Sequence, residues 1–288
     1  MGRYDNYLLV TDMDGTLLNS QRQVSEKNRA AIDRFTTEGG RFCVATGRTA
    51  ENAAIFLHNV NINTSGIFFN GAMLYDYKKQ RIMAKEALVG EIWQQYVELL
   101  LEKYPEICVQ IYAIDTCYVV SNTPPEAPVL QAMSFPYKFS RWQDIQHLDW
   151  LKLMLVGESE LLHQAKEEAE KIGLMKISNS FFSESNFYEF VAANASKGHM
   201  LEVLKALPEN QGRKVIAMGD YANDDYMLKM ADVGIASGNA LPQTKQAADR
   251  VGVTCDEGLT VYVIDLIPDG KALGLGTLFP CTIDTDNI

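Results

Sequence analysis

The sequence predicts an α/β protein: a core on a mostly parallel sheet, interrupted by an inserted α+β unit. Three observations carry this. Apolar runs of strand length alternate with amphipathic helical stretches toward both ends of the chain. Several of those runs stop abruptly in clusters of Asp, Thr, Gly and Asn, where strands of open α/β sheets present their ligand-binding edge. From about residue 89 to residue 185 the strands turn more polar and more aromatic, and Pro124, Pro125, Pro128 and Pro136 fall in one irregular stretch.

Tyr7-Leu8-Leu9-Val10-Thr11 reads as a strand buried on both faces, and it runs straight into Asp12-Met13-Asp14-Gly15-Thr16. Two carboxylates two residues apart repel each other unless a cation or a proton stands between them. Mg²⁺ is the natural cation, since it takes a few hard oxygens and keeps its other positions for water and phosphate. Gly15 lets the backbone turn, and Thr16 adds a hydroxyl and an amide donor for an anion. Asp-x-Asp-Gly alone opens a turn about as often as it builds a site.

Ser25 caps a helix whose apolar stripe is Ala30, Ala31, Ile32 and Phe35, and Gly39-Gly40 ends it. Residues 41–45 form a second buried strand, closed by Thr46-Gly47-Arg48-Thr49, and a helix follows over 50–58. A third strand, 66–69, ends in Asn70-Gly71-Ala72. The alternation argues for right-handed βαβ units, with Asp12/Asp14, Thr46/Arg48 and Asn70 on one edge. Residues 73–76 and 80–83 then make a short hairpin. In the insert we expect a helix over 90–103, a hairpin of 107–114 with 117–120, a strand at 152–156, a helix at 158–172 and two strands within 175–190.

The core resumes with Ser196-Lys197-Gly198, which opens a helix reaching about residue 207. Val215-Ile216-Ala217-Met218 is a buried strand ending in Gly219-Asp220-Tyr221-Ala222-Asn223-Asp224-Asp225. A short helix (226–230), a strand (233–236), a loop with Gly238-Asn239-Ala240, a helix (242–248), a last strand (250–254) and a last helix (258–267) follow. The Gly-rich, polar tail from 269 to 288 is expected to be loosely held.

With 288 residues and 47% hydrophobic content, the chain can bury the core of one large domain or two ordinary ones. A formal net charge of −11 argues against nucleic acid or an anionic membrane as partner, so an anionic substrate must meet positive charge concentrated locally. Cys43, Cys108, Cys117, Cys255 and Cys281 are scattered without metal-finger spacing, which suits reduced thiols, and Cys43 reads as core. No secretory or membrane-spanning apolar run occurs, and the expectation is a soluble, cytoplasmic protein.

Phosphoryl transfer needs an in-line nucleophile, a proton donor for the leaving oxygen and positive charge against the transferred group. Asp12 can act as nucleophile, and Asp14 can protonate the leaving alkoxide and later activate water. Thr46 offers a hydroxyl to a phosphate oxygen, and Lys197 a point charge at a helix start. Asp220 would complete the Mg²⁺ site, with Asn223 or Asp224 steadying the metal or the phosphate. Taken singly, each has a plainer reading: Thr46-Gly47 a turn, Lys197 a solvated helix residue, Arg48 a partner of a surface carboxylate, His199 a helix-face residue. Trp93, Trp142 and Trp150 all fall in the insert and read as core.

Together, D-M-D-G-T at 12–16, T-G-R at 46–48, S-K-G at 196–198 and G-D-x-x-N-D at 219–224 resemble the haloacid dehalogenase superfamily of phosphatases. More narrowly, the chain resembles the Cof-type subfamily, whose α/β cap (type IIB) lies between the second and third motifs. The resemblance implies a Rossmann-like catalytic core of residues 1–85 and 190–288 and a cap of residues 86–189. It implies Asp12 as nucleophile and Asp14 as general acid/base, with the metal held by the Asp12 carboxylate, the Asp14 backbone carbonyl and the Asp220 carboxylate. Thr46, Gly47, Arg48, Lys197 and Asn223 would hold the substrate phosphate. Dehalogenases of the superfamily lack the second aspartate, so Asp14 points to phosphate chemistry. Asn70-Gly71-Ala72, Gly238-Asn239-Ala240, Lys245 and Ala248-Asp249 also look Cof-like. The lead into the lysine motif, Val191 to Ala195, departs from the acidic or Thr-Pro-rich segment of many members, which bears on specificity. The expected activity is Mg²⁺-dependent hydrolysis of small phosphorylated metabolites, sugar phosphates first and phosphorylated cofactors next. Two rivals stand beside it: phosphoryl transfer to another sugar hydroxyl, and a non-catalytic sugar-phosphate-binding regulator.

Overall fold

The structure, a computed structural model, describes residues 2–114, 116–131 and 136–267. The chain begins β1 (Tyr7–Thr11), α1 (Glu26–Thr37), β2 (Arg41–Val44), α2 (Ala50–Leu57), β3 (Gly66–Phe68), β4 (Met73–Asp76), β5 (Arg81–Lys85) and α3 (Glu91–Lys103). It continues β6 (Cys108–Ala113), β7 (Cys117–Val119), α4 (Pro128–Gln131), β8 (Tyr137–Phe139), α5 (Trp142–Ile145), β9 (Trp150–Val156), α6 (Ser159–Lys171), β10 (Ser178–Glu184) and β11 (Phe187–Ala192). Last come α7 (Lys197–Ala206), β12 (Lys214–Gly219), α8 (Asp225–Met230), β13 (Val233–Ala236), α9 (Pro242–Ala247), β14 (Arg250–Val251) and α10 (Leu259–Leu266). The tail expected to be loosely held, and Cys281 with it, lies outside the described residues.

One compact unit draws on Met1–Ala45, Phe56–Thr64 and the described chain from Leu204 on. Its sheet is parallel throughout, in the order β14-β13-β12-β1-β2. All five residues of β1 are buried, as the unbroken apolar run requires of a central parallel strand. Thr11 pairs with Met218, so Asp12 and Asp220 leave neighbouring strands at the same edge. The ladder runs one step further, with the Asp12 amide donating to the Met218 carbonyl at 2.9 Å. Ser25 caps α1 by accepting from the Asn28 amide at 3.3 Å, and the helix buries Ala31, Ile32 and Phe35. Burial pushes the Cys43 thiol far above its usual range, which suits the core role its sequence context gave it.

The second unit comprises Thr46–Ile55 and Ser65–Val203, and it contains the whole of the 86–189 insert. Here the structure departs from the sequence expectation. The strand at 66–68 does not extend the parallel sheet; it opens an antiparallel meander, β3-β4-β5. The reason is a left-handed reversal: Phe69, Asn70 and Gly71 have φ of 51°, 56° and 101°. The last strand is also shorter than expected, Arg250–Val251, while β8 and the one-turn helix α5 were not foreseen.

The insert's sheet runs β10-β11-β9-β6-β7-β8, antiparallel except for the β7–β8 pair. Phe190 on β11 takes Trp93 and Tyr96 of α3 edge-on at 5.5 and 5.6 Å, and the Tyr96 hydroxyl donates to the Ala165 carbonyl of α6 at 2.8 Å. Trp142 and Trp150 pack together at 5.2 Å, so all three tryptophans are core. Alternation along the strands turns Glu189 and Lys152 to the opposite face. There they form an ion pair at 3.1 Å with both side chains only 8% exposed. Lys152 also lies over the Tyr112 ring at 4.5 Å, and Ser183 donates to Glu189 at 2.7 Å. Breaking such a pair strands a buried charge. Glu189→Gln is therefore expected to lower stability by about 3 kcal/mol in denaturant unfolding. Adding Lys152→Met should recover most of it; additive losses would mean the pair is not coupled. Among the described residues, no helix is long and apolar enough to cross a membrane.

Candidate active site

At the carboxyl edge of β1 and β12, Asp12, Asp220 and Asp224 each offer a carboxylate oxygen within 4.8 Å of the others. Asp12 is only 6% exposed. Its backbone is fixed on both sides, because its carbonyl accepts from the Leu17 amide at 3.2 Å and the Thr11 hydroxyl at 2.8 Å. Asp224 Oδ2 accepts the backbone amides of Asp220 at 2.9 Å and Tyr221 at 3.1 Å, so this aspartate also knots the loop that presents Asp220. The Thr16 hydroxyl donates to Asp220 Oδ1 at 3.2 Å, tying the first loop to the last. Close, partly buried carboxylates of this kind call for a cation, and an all-oxygen donor set suits Mg²⁺. Asp14 is exposed and stands outside this carboxylate group, on a turn whose backbone bridges to Leu18. Asn223 is exposed on the 3-10 turn Ala222–Asp224.

Two features of this loop have a physical explanation in the sequence. Gly15 has φ +76°, and a Cβ there would stand 2.3 Å from Asp220 Oδ2. Only glycine lets the first loop close on the metal-ligand candidate. Gly15→Ala is expected to destabilise the fold by about 1–2 kcal/mol from the left-handed backbone alone. It should also displace Asp220, read as weaker Mg²⁺ binding in calorimetry; unchanged affinity would show that the loop tolerates a side chain. Asn239 had no role assigned from sequence beyond its motif. Its Nδ2 donates to the Gly15 carbonyl at 2.8 Å, while its Oδ1 accepts from the Ser237 hydroxyl at 2.7 Å and the Cys255 amide at 2.9 Å. It braces the aspartate loop from the end of β13, and Gly238-Asn239-Ala240 after a buried strand was the signal.

The other motif residues belong to the second unit. Thr46 is buried, and its hydroxyl oxygen accepts from the Arg48 amide at 3.2 Å, an arrangement that leaves the hydroxyl proton to donate elsewhere. Arg48, half-buried, donates through Nη1 to Asn52 Oδ1 one turn along α2. The Phe69–Gly71 reversal docks on this segment, the Phe69 amide donating to the Arg48 carbonyl at 3.1 Å and the Asn70 amide to the Thr46 carbonyl at 3.0 Å. On the other side of the reversal, a Cβ on Gly71 would stand 2.1 Å from the Ser196 carbonyl oxygen, so glycine lets the start of α7 approach. Ser196 caps that helix by accepting from the His199 amide at 3.0 Å. Lys197, its first residue, is 1% exposed, which rules out the solvated reading. A lysine so buried needs oxygen partners. His199 is half-exposed between Glu86 at 3.6 Å and Glu202 at 4.0 Å.

With these motif loops in view, the comparison with known families is decisive. The family of haloacid dehalogenase-like hydrolases matches residues 9–263. The chain belongs to that family. A solved haloacid dehalogenase-like hydrolase from Bacteroides thetaiotaomicron is 28% identical, with a TM-score of 0.78 over 92% of this chain and 100% of its own. Among curated relatives, the Bacillus subtilis 5-amino-6-(5-phospho-D-ribitylamino)uracil phosphatase YcsE is 26% identical over 86% of this chain and 90% of its own length. The phosphatase YitU of the same organism, named for the same substrate, is 25% identical over 87% of this chain and 93% of its own. The α/β fold with a parallel core sheet and a separate antiparallel sheet is that of the haloacid dehalogenase-like hydrolases. The haloacid dehalogenase-like chain is a phosphatase enzyme of the Cof type.

Proposed function

We propose that this phosphatase is a Mg²⁺-dependent hydrolase of small phosphorylated metabolites, sugar phosphates foremost, working through an aspartyl-phosphate on Asp12. The observation that carries the reading is the cluster of Asp12, Asp220 and Asp224 at the end of two adjacent parallel strands. Asp12 attacks the phosphorus in line, and the bond from phosphorus to the ester oxygen breaks. Asp14 gives that oxygen its proton, so the alcohol leaves neutral. Asp14, now ionised, takes a proton from water, which attacks the phosphorus and returns Asp12 as carboxylate and phosphate as product. Thr46, Gly47, Arg48, Lys197 and Asn223 hold the phosphoryl oxygens. The Asp12 and Asp220 carboxylates and the Asp14 backbone carbonyl would hold Mg²⁺, with Asp224 steadying the loop. When bound, the metal supplies positive charge to the phosphoryl oxygens.

In this reading, residues 86–189 act as a cap on a core of residues 1–85 and 190–288, excluding bulk water and choosing the leaving group. The cytoplasm is the proposed setting, in keeping with unpaired, buried Cys43, Cys108, Cys117 and Cys255. The test is phosphate release from a panel of sugar phosphates and phosphorylated cofactors, with Mg²⁺ and with chelator. Metal-dependent release supports the reading. Isomerisation of one sugar phosphate into another without release would move the assignment to a mutase, and binding without turnover to a regulator.

A further inference from the structure

An edge strand presents a row of backbone amides and carbonyls to any chain able to pair with it. Most edges of the described sheets are short, covered or charged. β14 is two residues long, and β2 and β3 are almost wholly buried. β5 carries exposed Arg81 and Lys85, and β8 is three residues long with Lys138 at its middle. β10 is different. It runs seven residues, Ser178–Glu184, and from Ser178 to Ser183 it holds neither a charge nor a proline. Among the described residues only β11 pairs with it, and that ladder is regular from Ser178 to Phe182. Asn179 and Ser183 are exposed, and Phe181 and Phe182 are half-buried.

This edge is complementary to itself. Lys176 and Glu184 are the charged residues of the stretch 176–184, both are exposed, and among the described residues neither is ion-paired within the chain. Ser180 lies midway between them. Antiparallel pairing of two copies about Ser180 therefore sets Lys176 against the partner's Glu184 at both ends, with Ser178 against the partner's Phe182 and Asn179 against the partner's Phe181. The strand is also ordered in advance, so pairing has little left to freeze. Phe182 stacks on His163 of α6 at 4.7 Å and packs on Tyr188 at 4.6 Å, while the Tyr188 hydroxyl donates to Ser180 at 2.8 Å. We propose that two copies of this chain associate through β10, two-fold symmetric about Ser180, joining their six-stranded sheets into one continuous sheet. A seven-residue edge buries less than a standard interface, so the dimer is reversible and micromolar. The interface lies wholly in the second unit and is independent of the reaction proposed above.

The test is sedimentation velocity on the full chain, where monomer should give way to dimer between about 1 and 200 µM. Glu184→Lys sets lysine against the partner's Lys176 at both ends, and should weaken dimerisation at low salt by at least about tenfold. Lys176→Glu should do the same. The double variant Lys176→Glu/Glu184→Lys restores opposite charges and should return to within about threefold of the wild type. Both positions are exposed, so circular dichroism should show all four chains equally folded. Ser180→Cys should form a disulfide-linked dimer on mild oxidation, in a Cys281→Ser background because Cys43, Cys108, Cys117 and Cys255 are buried. Monomer across the whole range, a dimer indifferent to the charges at 176 and 184, or a dimer that Ser180→Cys leaves uncross-linked would overturn the proposal.

Discussion

Asp12→Asn is expected to lower kcat for phosphate release by at least about 10³-fold, because an amide is no nucleophile toward phosphorus at neutral pH. The substitution keeps size and hydrogen-bonding shape at a position only 6% exposed, so the fold should survive. A second effect follows from the same geometry. Three carboxylates within 4.8 Å of one another repel in the absence of metal. Removing one charge should raise the melting temperature of the metal-free protein, while reducing the further rise that Mg²⁺ gives the wild type. Catalysis and metal-free stability should thus move in opposite directions. A variant that loses both would be misfolded, and one that keeps its turnover would place the nucleophile elsewhere.

Lys197→Met should lower kcat/KM by about 10²–10³-fold, the usual consequence of removing one positive group from a transferred phosphoryl. Met matches the length of the lysine stem and suits a position 1% exposed, so the change isolates the charge. Lys197→Arg is expected to rescue little, since a planar guanidinium does not fit where a compact ammonium was enclosed. Circular dichroism should show α7 intact in both, because its cap is Ser196, whose hydroxyl holds the His199 amide. Equal activity of wild type and Lys197→Met would return Lys197 to a purely structural role.

Much of the fold was legible because some segments admit one structure. An unbroken run such as Leu8-Leu9-Val10 ending in Asp12 can be buried on both faces only as a central parallel strand, and β1 is that strand. Ser25 before an amphipathic stripe announced α1, and its hydroxyl caps as expected. Gly66-Ile67-Phe68 was different. Its apolar run is compatible with either a parallel or an antiparallel neighbour, and the choice is made one residue later by a left-handed Phe69. Bulky residues rarely adopt that conformation, so no sequence pattern announces it. The strand Tyr137–Phe139 was missed for a related reason: three residues, largely exposed, carry too little alternation to read.

The candidate site divides similarly. Asp12 and Asp220 were readable because each follows a buried strand, and adjacency of β1 and β12 then sets them side by side. Lys197 was ambiguous alone, since burial at a helix start depends on what packs there, and Gly71 is what permits the approach. Asn239 and Asn52 act through contacts 224 and four residues away, to the Gly15 carbonyl and the Arg48 guanidinium, and only the folded chain reveals them.

The most direct measurement is acid-quench trapping with a substrate labelled in the phosphoryl group, followed by borohydride reduction and peptide mapping. Label on the unreduced peptide spanning β1, released as phosphate on reduction to leave homoserine at position 12, with neither found in Asp12→Asn, is the predicted result. Turnover with no label at residue 12, or with label on another side chain, would contradict the account.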